Sequence, residues 1–219
     1  MFERYIETAH RKIKNLWAFL SFGTIFASLK SKIKLHMNKQ KVNIMVGKFQ
    51  PFTLGHLKCL INIKELTGLP TFLCVIPGNG NKEHPFTNEL QNEMYDKLLT
   101  SYPDLFAGVC YVKNAFIENW ISAIKDKNFI PITWTCGSDR KEAYENMVEK
   151  YGQEYGLIDE FQVFVVNRYD DNISATNVRM CLLNDNKEAF MNQMPECLFD
   201  MYDRMRSAVV DEISITSKC

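Results

Sequence analysis

The sequence predicts an α/β fold: a parallel five-stranded sheet with helices on both faces, a helical N-terminal extension before it and a helical tail after it. Short apolar runs rich in β-branched and aromatic residues alternate with longer helix-type stretches from Val42 to Val166. Gly and Pro mark several of the junctions between them. The chain has 219 residues, 46% of them hydrophobic, which is enough for one good core with appendages. The extension is assigned to residues 1–40 and the main domain to 41–219.

In the extension, Leu16 to Leu29 (LWAFLSFGTIFASL) is largely apolar, with Arg11, Lys12 and Lys14 before it and Lys30, Lys32 and Lys34 after it. A bilayer span needs about 20 apolar residues, so the stretch is short for one. It lacks a clean small-residue cleavage site, and basic residues lie on both sides. The alternatives are a helix packed on its own domain or on a neighbouring subunit, or an interfacial anchor, so residues 1–36 are the place for membrane or protein contact. Met37 precedes the first strand, where the core can begin.

Val42 to Val46 is an apolar run ending at Gly47 and reads as a buried first strand. Leu57 to Leu66 reads as a helix closed by Gly68 and Pro70. Thr71 to Ile76 is the second strand, broken by Pro77-Gly78-Asn79-Gly80. Thr87 to Tyr102 is the next helix, with Thr87 as its cap. Gly108 to Val112 gives a third strand and Asn119 to Asp126 a short helix. Ile132 to Cys136 is the fourth strand, ended by Gly137-Ser138-Asp139, and Arg140 to Tyr151 is helical. Phe161 to Val166 is the fifth strand; from Thr176 onward the pattern is mostly helix, with a break at Pro195. Sheets of this kind bind ligands beyond the carboxyl ends of their strands, where strand order reverses. The loops after the first, fourth and fifth strands are therefore where chemistry is expected.

Lys and Arg together number 26, as do Asp and Glu, so the net charge is zero and a general nucleic-acid binder is disfavoured. Seven cysteines are widely spaced without a C-x-x-C, which argues against a zinc site or disulfide framework and fits a reducing cytoplasm.

The strongest local signal is Gly47-Lys48-Phe49-Gln50-Pro51-Phe52-Thr53-Leu54-Gly55-His56, running from the first strand into the next helix. Gly47 and Gly55 allow close backbone approach to a ligand, and Pro51 stiffens the loop between them. His56 stands where free N–H groups and the helix dipole favour phosphate, and it can either donate to a phosphoryl oxygen or merely cap the helix. Lys48 adds a point charge to the same loop. Far along the chain, Ile173-Ser174-Ala175-Thr176-Asn177-Val178-Arg179 opens another helix. Ser174 and Thr176 can cap it and offer hydroxyls to an anion, while Arg179 in its first turn can present a planar fork to the same phosphates.

The first stretch resembles the G-x-F-x-P-x-H-x-G-H signature of the nucleotidyltransferase superfamily and is most similar to archaeal-type nicotinamide mononucleotide adenylyltransferases. The second resembles that superfamily's I-S-G/S-T-x-x-R element. The likeness implies a Rossmann-like domain in which His56 and Thr53 face the ATP phosphates, within a loop that includes Gly47, Phe49 and Gly55. Lys48 is implied to meet the outer phosphates, and Ser174, Thr176 and Arg179 the β- and γ-phosphates. Gly137 and Asp139 would contact the adenosine, although Gly137-Ser138-Asp139-Arg140 is also an ordinary turn. Trp120 falls where the family stacks a nicotinamide ring, although its I-x-N-W-I-x-x-I spacing is also that of a core residue.

Three departures stand out. Thr53 occupies the first histidine of the signature, as in pantetheine-phosphate adenylyltransferases; Lys48 replaces an arginine; and His84-Pro85-Phe86-Thr87 resembles N-P-F-T but is followed by Gln91 where that family carries arginine. The resemblance covers about Val42 to Arg206 and implies magnesium carried with ATP, a small phosphorylated acceptor, and a homo-oligomeric state. The expected reaction is adenylyl transfer from ATP to nicotinamide mononucleotide, giving NAD and pyrophosphate, with His56, Lys48 and Arg179 as its catalytic groups. The alternatives are a phosphopantetheine or cytidylyl acceptor reaction, or a non-catalytic nucleotide-binding or assembly protein on the same fold.

Overall fold

The structure, a computed structural model, describes residues 39–78, 84–157, 159–166 and 173–216. The apolar segment Leu16–Leu29 and the rest of residues 1–38 lie outside the described residues, so the expectations for the extension are not addressed by it. Among the described residues no helix is long and apolar enough to cross a membrane.

The expected alternation is present. In chain order the elements are β1 (Gln40–Gly47), α1 (Leu54–Thr67), β2 (Thr71–Val75), α2 (Asn88–Ser101), β3 (Phe106–Tyr111), α3 (Ile117–Asp126), β4 (Phe129–Cys136), α4 (Lys141–Tyr151) and β5 (Gln162–Val165). The tail adds α5 (Ala175–Leu183), α6 (Lys187–Met191) and α7 (Tyr202–Thr216), with a tight 3-10 turn at Glu196–Met201 entered through Pro195. The strands form one five-stranded parallel sheet in the order β3-β2-β1-β4-β5. Right-handed crossovers that first run outward from β1 and then return to its other side must place their helices on opposite faces. Accordingly Leu57 and Leu60 of α1 and Met94 and Leu98 of α2 pack in one core with Leu73 and Val75. Ile117, Trp120 and Ile124 of α3 pack in a second core with Val42, Ile44, Phe72 and Cys74. The strand residues divide by parity, as a period of two requires.

Some boundaries differ from the sequence expectation. Helix α1 starts at Leu54 rather than Leu57, because Thr53 in extended conformation is the N-cap and the histidine sits inside the first turn. Strand β4 starts at Phe129 and runs through Pro131; pairing with β5 begins only at Thr133, so the missing proline N–H removes no bond on that side. Thr87 caps α2 as expected, its hydroxyl accepting from Leu90 N–H.

The reversal of strand order between β1 and β4 is pinned by a polar group in the core. Asn43 is fully buried; its Oδ1 accepts from Thr133 Oγ1 on β4 at 2.9 Å. Its Nδ2 donates to Thr67 Oγ1 at 2.9 Å and to the Leu69 carbonyl at 2.8 Å. Removing such a residue strands the buried Thr133 hydroxyl and two half-buried partners, so Asn43→Ala is expected to cost about 2–3 kcal/mol, read as a lowered midpoint in urea unfolding. A change within about 0.5 kcal/mol would show that β1 and β4 do not depend on this network.

Candidate active site

A cleft of about 630 Å³ opens at the carboxyl ends of β1 and β4, where the strand order reverses. Its floor is the β1–α1 loop. Phe49 in this loop takes φ 46°, in the left-handed region that costs a non-glycine residue of order 1 kcal/mol. Its ring folds back over Gly47, where an added Cβ would lie 2.9 Å from Phe49 Cζ; this explains the glycine at the strand end. The Gln50–Pro51 peptide is cis.

His56 is held on two sides by aromatic rings, edge-to-face with Phe49 at 5.1 Å and tilted against Phe52 at 5.3 Å. The backbone N–H of Thr53 donates to His56 Nδ1 at 2.9 Å, and Thr53 Oγ1 lies 3.0 Å from the same nitrogen. A ring nitrogen that accepts a hydrogen bond carries no proton, so in the neutral ring the proton sits on Nε2 and the far side of the imidazole is a donor. The cap therefore selects the tautomer.

The second motif meets the first. Ser174 caps α5, its hydroxyl accepting from Asn177 N–H at 3.0 Å. An added Cβ at Gly55 would lie 3.4 Å from Ile173 Cγ2, so the starts of α1 and α5 come close together. Arg179 donates from Nη1 to the carbonyl of Gln50 at 2.6 Å and from Nη2 to Thr176 Oγ1 at 3.2 Å. Segments 129 positions apart are thereby joined.

A third segment closes under the loop. The buried amide of Gln50 donates to the Phe86 carbonyl at 3.2 Å and accepts from Phe86 N–H at 3.0 Å. A Cβ on Gly78 would run into that same amide. Gln91, only 1% exposed, donates from Nε2 to the Lys48 carbonyl at 3.1 Å. In place of a cation, this position offers a neutral tie to the loop backbone. Lys48 itself is exposed and its Nζ donates to His84 Nε2 at 2.5 Å.

Gly47, Lys48, Phe49, Thr53, Gly55 and His56 line the cleft, as do Ser174 and Thr176 from the second motif and Gly137 and Asp139 from the end of β4. Arg179 is not among the residues that line it; its guanidinium ties to the loop through the Gln50 carbonyl. Trp120 is a correction: it is 0% exposed, stacks on Phe161 at 6.0 Å and meets Trp134 edge-on at 4.9 Å in the core beneath α3. With no exposed surface, its ring cannot stack on a ligand in this conformation. The residues of α3 at its helical spacing, Ile117, Ile121 and Ile124, are buried with it, and the apolar stripe outweighs the motif position.

Lys58, Thr135, Tyr144 and Arg140 also line the cleft and were not predicted as site residues. Lys58 follows His56 by two positions in the first turns of α1, a signal that no periodicity marks as special. Tyr144 stacks on the buried Trp134 at 3.8 Å, a contact between α4 and β4 that a linear sequence does not reveal. Thr135 is 2% exposed and its Oγ1 has no hydrogen-bond partner among the described residues. Among the described residues lining the cleft Asp139 is the one carboxylate, and no group of three His, Cys, Asp or Glu is placed to hold a metal ion.

The family model described as cytidylyltransferase-like matches residues 44–181, which spans both motifs. No curated protein matches the sequence. Among solved structures, the chain is similar to a bifunctional NMN adenylyltransferase/ADP ribose pyrophosphatase from Francisella tularensis, with TM-score 0.56 at 15% identity over 81% of this chain and 55% of that one. It is also similar to the Plasmodium falciparum nicotinic acid mononucleotide adenylyltransferase complexed with APC, with TM-score 0.54 at 14% identity over 77% of this chain and 97% of that one. A third is Thermotoga maritima TmcAL bound with alpha-thio ATP, with TM-score 0.51 at 14% identity over 75% of this chain and 56% of that one. The chain spans about half the length of the Francisella protein. Likeness at this level of identity establishes the shared fold.

Cys136 at the cleft wall yields a test of the site's local electrostatics. Burial, reinforced by the charges of Asp139 and Glu145, pushes its thiol up to about 11 from the ordinary 9.0. Only the thiolate reacts with alkylating agents. At pH 8 Cys136 is therefore expected to react with iodoacetamide about a hundredfold more slowly than an unperturbed thiol, measured by peptide mass mapping. The rate should rise through pH 9 to 11 as the thiol ionises; fast labelling at pH 8 would contradict the burial argument.

Proposed function

Because this chain belongs to the cytidylyltransferase-like family, we propose that it is a nucleotidyltransferase that moves the adenylyl group of ATP onto nicotinamide mononucleotide, forming NAD and releasing pyrophosphate. The observation that carries the proposal is the convergence of the capped His56 and the capped start of α5 on one cleft at the strand-order reversal. The adenylyl donor and the pyridine mononucleotide acceptor are supported by the signature in the β1–α1 loop and by the neighbours named for NMN and nicotinic acid mononucleotide.

In the proposed reaction an oxygen of the acceptor's phosphate attacks the α-phosphorus in line as the bond to pyrophosphate breaks. No protein nucleophile is required, because positioning and charge stabilisation supply the acceleration. His56, as the Nε2–H tautomer, donates to the α-phosphate as negative charge accumulates there. The dipoles of α1 and α5 add fixed partial positive charge at their starts. Lys48 is assigned to the leaving pyrophosphate, with Lys58 and Arg140 as further cations on the cleft wall. Arg179 is assigned a positioning role, because its fork is engaged by the loop and by Thr176. Gly137 and Asp139 at the end of β4 are assigned to the nucleoside side. Magnesium, when bound to the triphosphate, neutralises phosphate charge, and the residues described here leave it on the ligand.

One observation favours a different acceptor: Trp120, the residue expected to stack the nicotinamide, is wholly buried. The test is pyrophosphate release from ATP by the full chain with nicotinamide mononucleotide, phosphopantetheine or glycerol 3-phosphate as acceptor, with CTP run in parallel. NAD formed with the first supports the proposal. Turnover with another acceptor moves the assignment within the family, and ATP binding with no turnover identifies a nucleotide-binding protein. With the productive acceptor, His56→Ala is expected to lower kcat by about a hundredfold or more, the usual cost of one transition-state donor. Undiminished kcat would remove His56 from the mechanism.

A further inference from the structure

Away from the cleft, two thiols lie side by side in the sheet. Cys74 of β2 and Cys110 of β3 are direct partners in the parallel register, so both side chains leave the same face. Their sulfurs are 3.9 Å apart. Neighbouring strands run about 4.8 Å apart, inside the range of Cα separations that a disulfide bridges, about 4.4–6.8 Å. The two residues differ in access: Cys74 is 0% exposed, whereas Cys110 is only half-buried, on the edge strand of the sheet.

We propose that Cys74 and Cys110 form an oxidisable dithiol, in which hydrogen peroxide attacks at Cys110 and Cys74 resolves the product into a disulfide between β2 and β3. In the first step the Cys110 thiolate sulfur attacks one peroxide oxygen and the O–O bond breaks. Hydroxide leaves, the sulfur is oxidised by two electrons to sulfenic acid, and the peroxide is reduced. In the second step the Cys74 sulfur attacks the Cys110 sulfur and the S–O bond breaks. The Cys74 proton and the departing hydroxide leave as water. The sum is two thiols and one peroxide giving one disulfide and two waters.

The order of attack follows from the surroundings. The hydrogen bond shared with Cys74 pulls the Cys110 thiol below its ordinary value, and the Lys127 charge adds to this against partial burial. Cys74 is pushed up by its partner and by burial, so it keeps its proton until the sulfenic acid is beside it. The bond would lock the edge strand to its neighbour two residues before Ile76, which lines the cleft.

The test is independent of any catalytic activity. The full chain, reduced and freed of reductant, is treated with hydrogen peroxide and digested after the remaining thiols are blocked. The expected product is one peptide pair joined through Cys74 and Cys110, with a mass loss of two hydrogens. In Cys74→Ala, Cys110 is expected to persist as a sulfenic acid captured by dimedone. If that variant does not fold, phenylarsine oxide on the native chain serves instead, since one trivalent arsenic bridging the pair should shield both cysteines from alkylation. Cys110 oxidised to sulfinic acid beside a reduced Cys74 would overturn the proposal. So would a disulfide joining either residue to another cysteine, or alkylation of both in the presence of the arsenical.

Discussion

The cleft rests on a loop that is held by hydrogen bonds to distant segments of the chain. Between Gly47 and Phe52 the chain carries a left-handed phenylalanine, with its ring folded over a glycine. Four hydrogen bonds from elsewhere hold it: Gln91 to the Lys48 carbonyl, a reciprocal pair between Gln50 and Phe86, and Arg179 to the Gln50 carbonyl. At about 1 kcal/mol net each, they outweigh a left-handed residue costing of order 1–2 kcal/mol. The loop is therefore held in place by contacts with distant segments.

That dependence changes how the two motifs relate. Neither is a site alone, since a glycine-rich turn and a capped helix with one arginine are each common. Arg179 unites them by spending its fork on the loop backbone, so its proposed contribution is to hold Phe49 and Lys48 in place. A planar fork suits this bracing better than a single ammonium would, because it engages Gln50 and Thr176 at once. The net charge of zero is compatible with a cleft whose described lining carries Lys48, Lys58 and Arg140 beside the carboxylate Asp139.

Much of this was legible in the sequence, for identifiable reasons. The short apolar run Val42 to Val46 ending at Gly47 marks a buried strand leading into a loop, and the serine at 174 marks a helix start. What stayed hidden is what depends on tertiary contact. Trp120 carried two readings, core stripe and ring stack, and only the packing of Phe161 and Trp134 against it decides between them. Gln91 reads as a missing cation, yet its buried amide is a tie to the loop that no spacing rule could find across 43 positions. The Cys74–Cys110 pair was invisible because register, which sets partners in a sheet, is a property of two strands together.

His56 shows why the two readings of a residue need not compete. From sequence, the ring either caps α1 or donates to a phosphate. In the structure Nδ1 performs the cap by accepting from Thr53 N–H, and that bond is what leaves the proton on Nε2. A ring without the cap would be free to place its proton on either nitrogen and to rotate between Phe49 and Phe52. The cap and the two aromatic walls remove both freedoms before any ligand arrives, so the donor is presented with its orientation already fixed. Thr53, standing at the first histidine of the signature, holds the imidazole through its backbone N–H, with its Oγ1 3.0 Å from the same ring nitrogen.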